Sequence, residues 1–208
     1  MEWLAGKRPN SVVYVSFGSI AALTSEQLLE FAWGLANSGR EFLWVLRNEE
    51  VKGSHAAAAL PLPPEFWEAT RARSHVASWC PQAEVLQHEA TGAFLTHCGW
   101  NSMLESICAG VPMVCWPLGA DQQTNSRFAC SEWRVGVELG GNVSRHEVKT
   151  AIGEAMEGDK GKEMKRMATK WKEKATAAAL PGGPSWVNLE KLVNEVFFVY
   201  NAILLYNA

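Results

Sequence analysis

The sequence predicts an α/β fold: a parallel sheet of about six strands with helices on both faces. Three observations predict it. Apolar, β-branched runs alternate with helical patterns through about 130 residues, and the connections are short. Glycines stand where strands turn into helices (Gly18, Gly99) and where helices end (Gly39, Gly110). Two capping boxes, Thr24 with Gln27 and Ser144 with Glu147, mark helix starts.

The elements follow in chain order. EWLAGKRPN reads as a linker or edge segment, with Pro9 and Asn10 as breakers. Ser11 to Phe17, SVVYVSF, is a buried parallel strand that stops at Gly18 and Ser19. The first helix starts at the Thr24 box, carries Leu28, Phe31, Ala32 and Leu35 as its apolar stripe, and closes at Gly39. Phe42 to Leu46 is the second strand. From Arg47 to Arg73 the pattern dissolves into a surface excursion with a short helix near Glu65.

A third strand runs from His75 to Trp79, a brief helix passes through Val85 and Leu86, and Ala93 to Thr96 is the fourth strand. HCGWNS follows, then a helix over about Asn101 to Ala109 with Gly110 at its C′ position. Val111 to Trp116 is the fifth strand, Gln122 to Ser131 a helix, and Val135 to Leu139 a weak sixth strand. The C-terminal third is helical. Val148, Ile152 and Met156 follow the second capping box, and Lys160 to Ala179 reads as a solvated, Lys-rich helix. PGGP (Pro181 to Pro184) breaks it. Trp186, Leu189, Leu192, Val193 and Val196 then form a last amphipathic helix.

Composition bounds the function. A chain of 208 residues, 48% hydrophobic, can bury a sizeable core. A net charge of −3 shows no basic excess, which argues against nucleic acid or an anionic membrane surface as partner. Five cysteines without zinc-like or disulfide-like spacing point to reduced thiols and a cytoplasmic setting. No secretory signal follows Met1. The apolar tail VFFVYNAILLYNA, from Val196, is interrupted by Asn201 and too short to span a bilayer.

Chemistry concentrates between Trp79 and Gln122. In sheets of this kind ligands sit beyond the carboxyl ends of the strands. Gly18-Ser19, Trp79–Gln82, His97–Ser102 and Trp116–Gln122 therefore share one rim. The first N–H groups of the helix after His97-Cys98-Gly99-Trp100 lack intrahelical partners, and the helix dipole adds positive character there. A diphosphate fits such a place without a metal. Gly99 allows close approach, Asn101 and Ser102 add donors, and His97 can donate to a phosphate oxygen. Each of these residues alone also fits an ordinary cap or core role; gathered in one turn, they point to anion binding. Glu105, one turn on, suits a ribose diol or simply stabilises the helix start. Trp79 and Gln82 offer an aromatic face and an amide to a flat base, or a core Trp at a strand end. Asp121 and Gln122 could chelate sugar hydroxyls or merely begin a helix. The Gly18-Ser19 turn lacks the dinucleotide GxGxxG pattern, which disfavours a dehydrogenase-like domain. A Cys98–His97 hydrolase is disfavoured because adjacent strand residues point to opposite faces.

Trp79–Gln122 closely resembles the signature box of plant secondary-product glycosyltransferases, the family 1 UDP-dependent enzymes. It starts with Trp, ends with Gln, and keeps WxPQ, HCGWNS, LES, AGVPM, WP and DQ in register. The flanks VVYVSFGS, FLWVLR and GGPSWVNLEKLVNEV are similar too, so the resemblance covers about residues 2–196. It implies the C-terminal, Rossmann-like half of a two-domain GT-B-type enzyme. It also implies site roles. Trp79 would stack on uracil, the Cys80 main chain would bond its edge, and Gln82 and Glu105 would hold the ribose. His97, Asn101, Ser102 and Ser19 would bind the diphosphate; Trp100, Asp121 and Gln122 would face the sugar. The final Gln122 favours UDP-glucose as donor substrate, with no metal or further cofactor. The overall sequence looks closest to enzymes that glucosylate small plant hydroxyl compounds such as cyanohydrins and terpenoids.

One departure accompanies the match. In that family the acceptor pocket, the base His and its partnering Asp belong to an N-terminal domain, and nothing here corresponds to it. The resemblance therefore implies residues 1–10 as an inter-domain linker remnant, 11–180 as the donor-binding domain, and 181–208 as a terminal helix and apolar tail. It implies an isolated donor half that binds UDP-glucose with little or no transfer of its own; a non-catalytic UDP-sugar binding module is the alternative. The tail from Phe197 departs from the family's more polar ending.

Overall fold

The computed structural model describes residues 1–18, 22–47, 51, 60 and 62–198. Its frame is one six-stranded sheet, entirely parallel, in the order β3-β2-β1-β4-β5-β6. The strands are β1 (Val12–Ser16), β2 (Glu41–Val45), β3 (Ser74–Ala77), β4 (Thr91–Thr96), β5 (Met113–Cys115) and β6 (Gly136–Glu138). The α/β class and six strands expected from the alternation are present, with ends displaced by a residue or two.

Both faces of the sheet are covered, so its central strands are apolar throughout rather than alternating. β1 shows how one run serves two cores. Val13 and Val15 point into a layer with Leu28, Phe31 and Leu35 of helix α2 (Ser25–Ser38) and Val148 and Ile152 of α7 (Arg145–Met156). Val12 and Tyr14 point the other way, toward Val85 and Leu86 of α4 (Gln82–Gln87) and Met103 and Ile107 of α5 (Trp100–Ala109). The boxes at Thr24 and Ser144 form in full, and α2 and α5 end on left-handed Gly39 and Gly110.

Four segments depart from the sequence expectation. Glu2–Ala5 form a helical turn, α1, where a linker or edge segment was expected. Leu4 of this turn is fully buried, Trp3 stacks on His75 at 5.6 Å, and Lys7 pairs with Glu41 at 2.7 Å, so the segment is docked on the sheet edge. The helix after Gln122 stops at Arg127 (α6) and continues as a π-helical turn, Phe128–Glu132. The Lys-rich helix α8 (Gly158–Ala179) is not wholly solvated: Gly161, Met164 and Ala168 are buried, and Lys165 Nζ donates to the Gly110 carbonyl at 3.0 Å. Finally, α9 (Pro184–Lys191) and the π-helical Leu192–Phe198 form where a helix was expected, but Trp186, Leu189, Leu192 and Val196 are exposed.

The short helix near Glu65 is α3 (Pro64–Thr70). Most of the excursion before it lies outside the described residues, as does the tail beyond Phe198. No helix among the described residues is long and apolar enough to cross a membrane.

Candidate functional site

The strand order places β1 beside β4, so the chain winds outward in opposite directions from this pair. That is the position where a doubly wound sheet opens a crevice beyond its carboxyl ends. Gly18 leaves β1 there and His97 leaves β4. The two meet: a Cβ added to Gly18 would lie 2.6 Å from both Cε1 and Nε2 of His97. A Cβ on Gly99 would lie 2.4 Å from Nε2. Both glycines are needed for space around one imidazole, and Gly18 also has φ +76°. Arg47, at the end of β2, donates from Nη2 to the Gly18 carbonyl at 3.0 Å and holds this turn from the side.

Burial pushes the His97 pKa down, opposed by the Ser16 main chain and more weakly by the charge of Asp121. The Ser16 main chain is near enough to act electrostatically, but His97 Nδ1 is buried with no hydrogen-bond partner among the described residues. A neutral imidazole with one N–H is the form this environment favours. Between His97 and Gly99, Cys98 adopts φ +65° although it carries a side chain. Its N–H donates to Thr96 Oγ1 at 3.2 Å and its carbonyl accepts from Asn125 Nδ2 at 3.0 Å. Such backbone costs about 1–3 kcal/mol and persists where its surroundings over-determine it.

Gly99 is the N-cap of α5 and no side chain caps it. Asn101 and Ser102 therefore sit inside the first helical turn rather than capping it, and the N–H groups of that turn have no side-chain acceptor among the described residues. Asn101 is exposed there.

A second group of residues converges beside it. Gln82 Nε2 donates to Glu105 Oε2 at 2.6 Å and to Ser102 Oγ at 3.0 Å. Gln82 Oε1 accepts from the Tyr14 hydroxyl at 3.0 Å, and the Cys80 thiol donates to Tyr14 Oη at 3.4 Å. Residues from β1 (Tyr14), the loop before α4 (Cys80), the start of α4 (Gln82) and α5 (Ser102, Glu105) are thus joined. Trp79, next to them, is 75% exposed and closes no core.

Asp121 and Gln122 begin α6. Asp121 Oδ2 accepts from Asn125 Nδ2 at 2.8 Å, which ties this corner to the Cys98 carbonyl. Gln122 turns its Oε1 back to accept from Leu118 N at 2.9 Å and Gly119 N at 3.2 Å, and its amide N–H groups have no partner among the described residues. Trp100 is half-exposed and lies 6.3 Å from Trp133, ring centre to ring centre. Ser19 lies outside the described residues. No group of three or more His, Cys, Asp or Glu side chains that could hold a metal occurs among the described residues.

Tyr14, Arg47 and Asn125 are the members that sequence reading missed. Asn125 carries a signal, standing one turn after Asp121 on the same helix face. Tyr14 carries none, because every residue of β1 is buried.

Comparison with known proteins gives concordant results. The family described as "UDP-glucoronosyl and UDP-glucosyl transferase" matches residues 4–175. UDP-glycosyltransferase 85A3 of Arabidopsis thaliana is 55% identical over 197 residues, covering 94% of this chain and 40% of the relative. A 7-deoxyloganetin glucosyltransferase of Gardenia jasminoides is 56% identical over 194 residues, covering 93% and 40%. The crystal structure of Os79 from O. sativa in complex with UDP superposes with a TM-score of 0.85 at 40% identity, covering 94% of this chain and 42% of that one. The chain thus spans about 40% of the length of the curated relatives it matches.

Proposed function

This chain belongs to the UDP-glucoronosyl and UDP-glucosyl transferase family, and from that premise we propose that it is the donor-binding half of an inverting, UDP-glucose-dependent glucosyltransferase whose acceptor is a small hydroxylated plant metabolite. Its fold is that of the C-terminal half of a two-domain GT-B-type enzyme. In this reading residues 11–180 form the donor domain, 181–208 the terminal helix and tail, and an N-terminal acceptor domain completes the enzyme. The five free cysteines fit a reducing cytoplasm.

The observation that carries the reading is the convergence at the β1–β4 crevice. An uncapped helix start and His97, both suited to a diphosphate, stand beside the Gln82–Glu105 pair, which suits a ribose. Uracil would lie on the exposed face of Trp79, with the Cys80 main chain at its edge. The ribose diol would donate to Glu105, which Gln82 holds beside it, and the diphosphate would meet His97, Asn101, Ser102, Ser19 and the N–H groups of the α5 start. Asp121, Gln122 and Trp100 would face the sugar.

The chemistry follows from that placement. An acceptor hydroxyl oxygen attacks the anomeric carbon, its proton passes to a base on the acceptor domain, and the bond to the β-phosphate oxygen breaks. UDP leaves with the electron pair. This chain's residues stabilise the charge that grows on that oxygen, through fixed N–H dipoles that need no reorganisation. The base is not among them, so the chain by itself should bind donor and transfer little or nothing.

Calorimetric titration with UDP-glucose, UDP-galactose and NAD tests the proposal. UDP-glucose should bind, and more tightly than UDP-galactose. Heat with NAD alone would overturn it.

A further inference from the structure

We propose that Tyr14 is a positioning residue that fixes the side-chain amide of Gln82 and, through it, the two groups facing the nucleotide, Glu105 and Ser102. The inference rests on the uridine diphosphate reading of this crevice and adds a residue from inside the sheet to it.

The hydrogen bonds determine their own direction. The Tyr14 hydroxyl has one proton. Burial, above all, together with the Cys80 thiol pushes its pKa well above the usual phenol range, so that proton stays. Cys80 Sγ, 3.4 Å away, is a donor to Oη, and Tyr14 spends its proton on Gln82 Oε1 at 3.0 Å. The far end of the amide must then be Nε2. Glu105 agrees independently: a carboxylate offers only acceptors, and it lies 2.6 Å from this nitrogen. The second Nε2 proton goes to Ser102 Oγ at 3.0 Å. Every bond runs the same way, from Cys80 through Tyr14 and Gln82 to Ser102 and Glu105.

Two consequences reach the ligand. Because Ser102 Oγ already accepts from Gln82, its own proton is left to donate outward, toward the diphosphate. Because Gln82 holds Glu105 Oε2, the carboxylate is pinned with Oε1 turned to other donors, as a diol needs. Both Nε2 protons of Gln82 are engaged inside the protein, so Gln82 works chiefly by holding Glu105 and Ser102. Without Tyr14 the amide can rotate, and a flipped amide would set its oxygen against the Glu105 carboxylate.

Tyr14→Phe isolates the hydroxyl, since the ring remains stacked on Phe94 at 4.9 Å. Calorimetry on the whole chain should show UDP binding weakened by about tenfold, the loss of one well-placed hydrogen-bond chain. For 2′,3′-dideoxy-UDP, which lacks the diol, the loss should be smaller by about fivefold, because the Glu105 contribution is already gone. In a Gln82→Ala background Tyr14→Phe should change UDP affinity less than about twofold. An equal loss for both nucleotides, or no loss, would overturn the proposal. A ligand-free measurement stands beside these. The Gln82 side-chain amide protons, followed by NMR, should exchange with solvent about tenfold faster in Tyr14→Phe; an unchanged rate also overturns it. A wild-type chain that ignores UDP while Gln82 exchange responds to Tyr14→Phe would refute the nucleotide reading and retain the positioning role of Tyr14.

Discussion

The His97 imidazole lies so close to Gly18 that a single added carbon would stand 2.6 Å from its Cε1 and Nε2. This contact joins the ends of β1 and β4, and it makes the glycine a condition for the histidine's placement. Gly18→Ala should therefore act twice. The residue sits at φ +76°, where a side chain costs about 1 kcal/mol, and the new methyl must push the ring away. Denaturant unfolding should show a loss of about 1–3 kcal/mol, and UDP-glucose binding should fall more steeply than stability does.

His97 also sets a pH dependence. Burial lowers its pKa in the folded chain, so the folded state binds fewer protons than the unfolded one over that interval. Stability then rises with pH through the interval, and it is lost as pH falls below the ordinary histidine value of about 6.5. A bound diphosphate would pull the same pKa upward. UDP-glucose carries no titrating phosphate proton near neutrality, so its affinity should rise by roughly two- to fivefold between pH 8 and 6, with proton uptake on binding. Calorimetry in two buffers of different ionisation enthalpy measures that uptake, and His97→Gln should abolish it.

Much of this architecture is written locally, and some of it cannot be. Capping boxes, left-handed glycines and runs such as SVVYVSF act within a few residues, so α2, α5, α7 and the strands were legible. The turn at Glu2–Ala5 was not, since four residues show no period and Leu4 is buried in a core made by residues distant in sequence. In α8 the stripe of Gly161, Met164 and Ala168 is narrow enough to be hidden among lysines. The amphipathic stripe of α9 was legible, but no described surface covers it. In the site, the glycine turns and helix start could be placed from the sequence because strand ends share a rim. The Tyr14–Gln82 bond could not, because nothing local distinguishes Tyr14 from its buried neighbours.

Glu105 separates the parts of the ligand. Its carboxylate is assigned to the ribose, so Glu105→Ala should weaken UDP by about 10- to 100-fold, as losing hydrogen bonds to a charged group does, while uracil binding stays unchanged. Equal weakening of both would remove the ribose assignment. The substitution also releases Gln82 Nε2, whose remaining partner is Ser102. Thermal unfolding of the unliganded variant should shift little, because the freed amide lies at a half-buried, water-accessible rim.

Trp79 gives the sharpest division between stability and binding. A core indole contributes to folding through the area it buries, and its removal costs about 3–5 kcal/mol. Trp79 is 75% exposed, so the fold gains little from it. Trp79→Ala should change unfolding free energy by less than about 0.5 kcal/mol, as surface substitutions do. If the exposed ring is where the base stacks, the same substitution should weaken uridine and UDP alike by about 1–3 kcal/mol, and pyrophosphate not at all. The conservative Trp79→Phe should recover part of that loss, because a smaller ring still offers a face to the base. A variant that unfolds early would place the indole in the core after all, and one that binds uridine normally would move the base elsewhere on the rim.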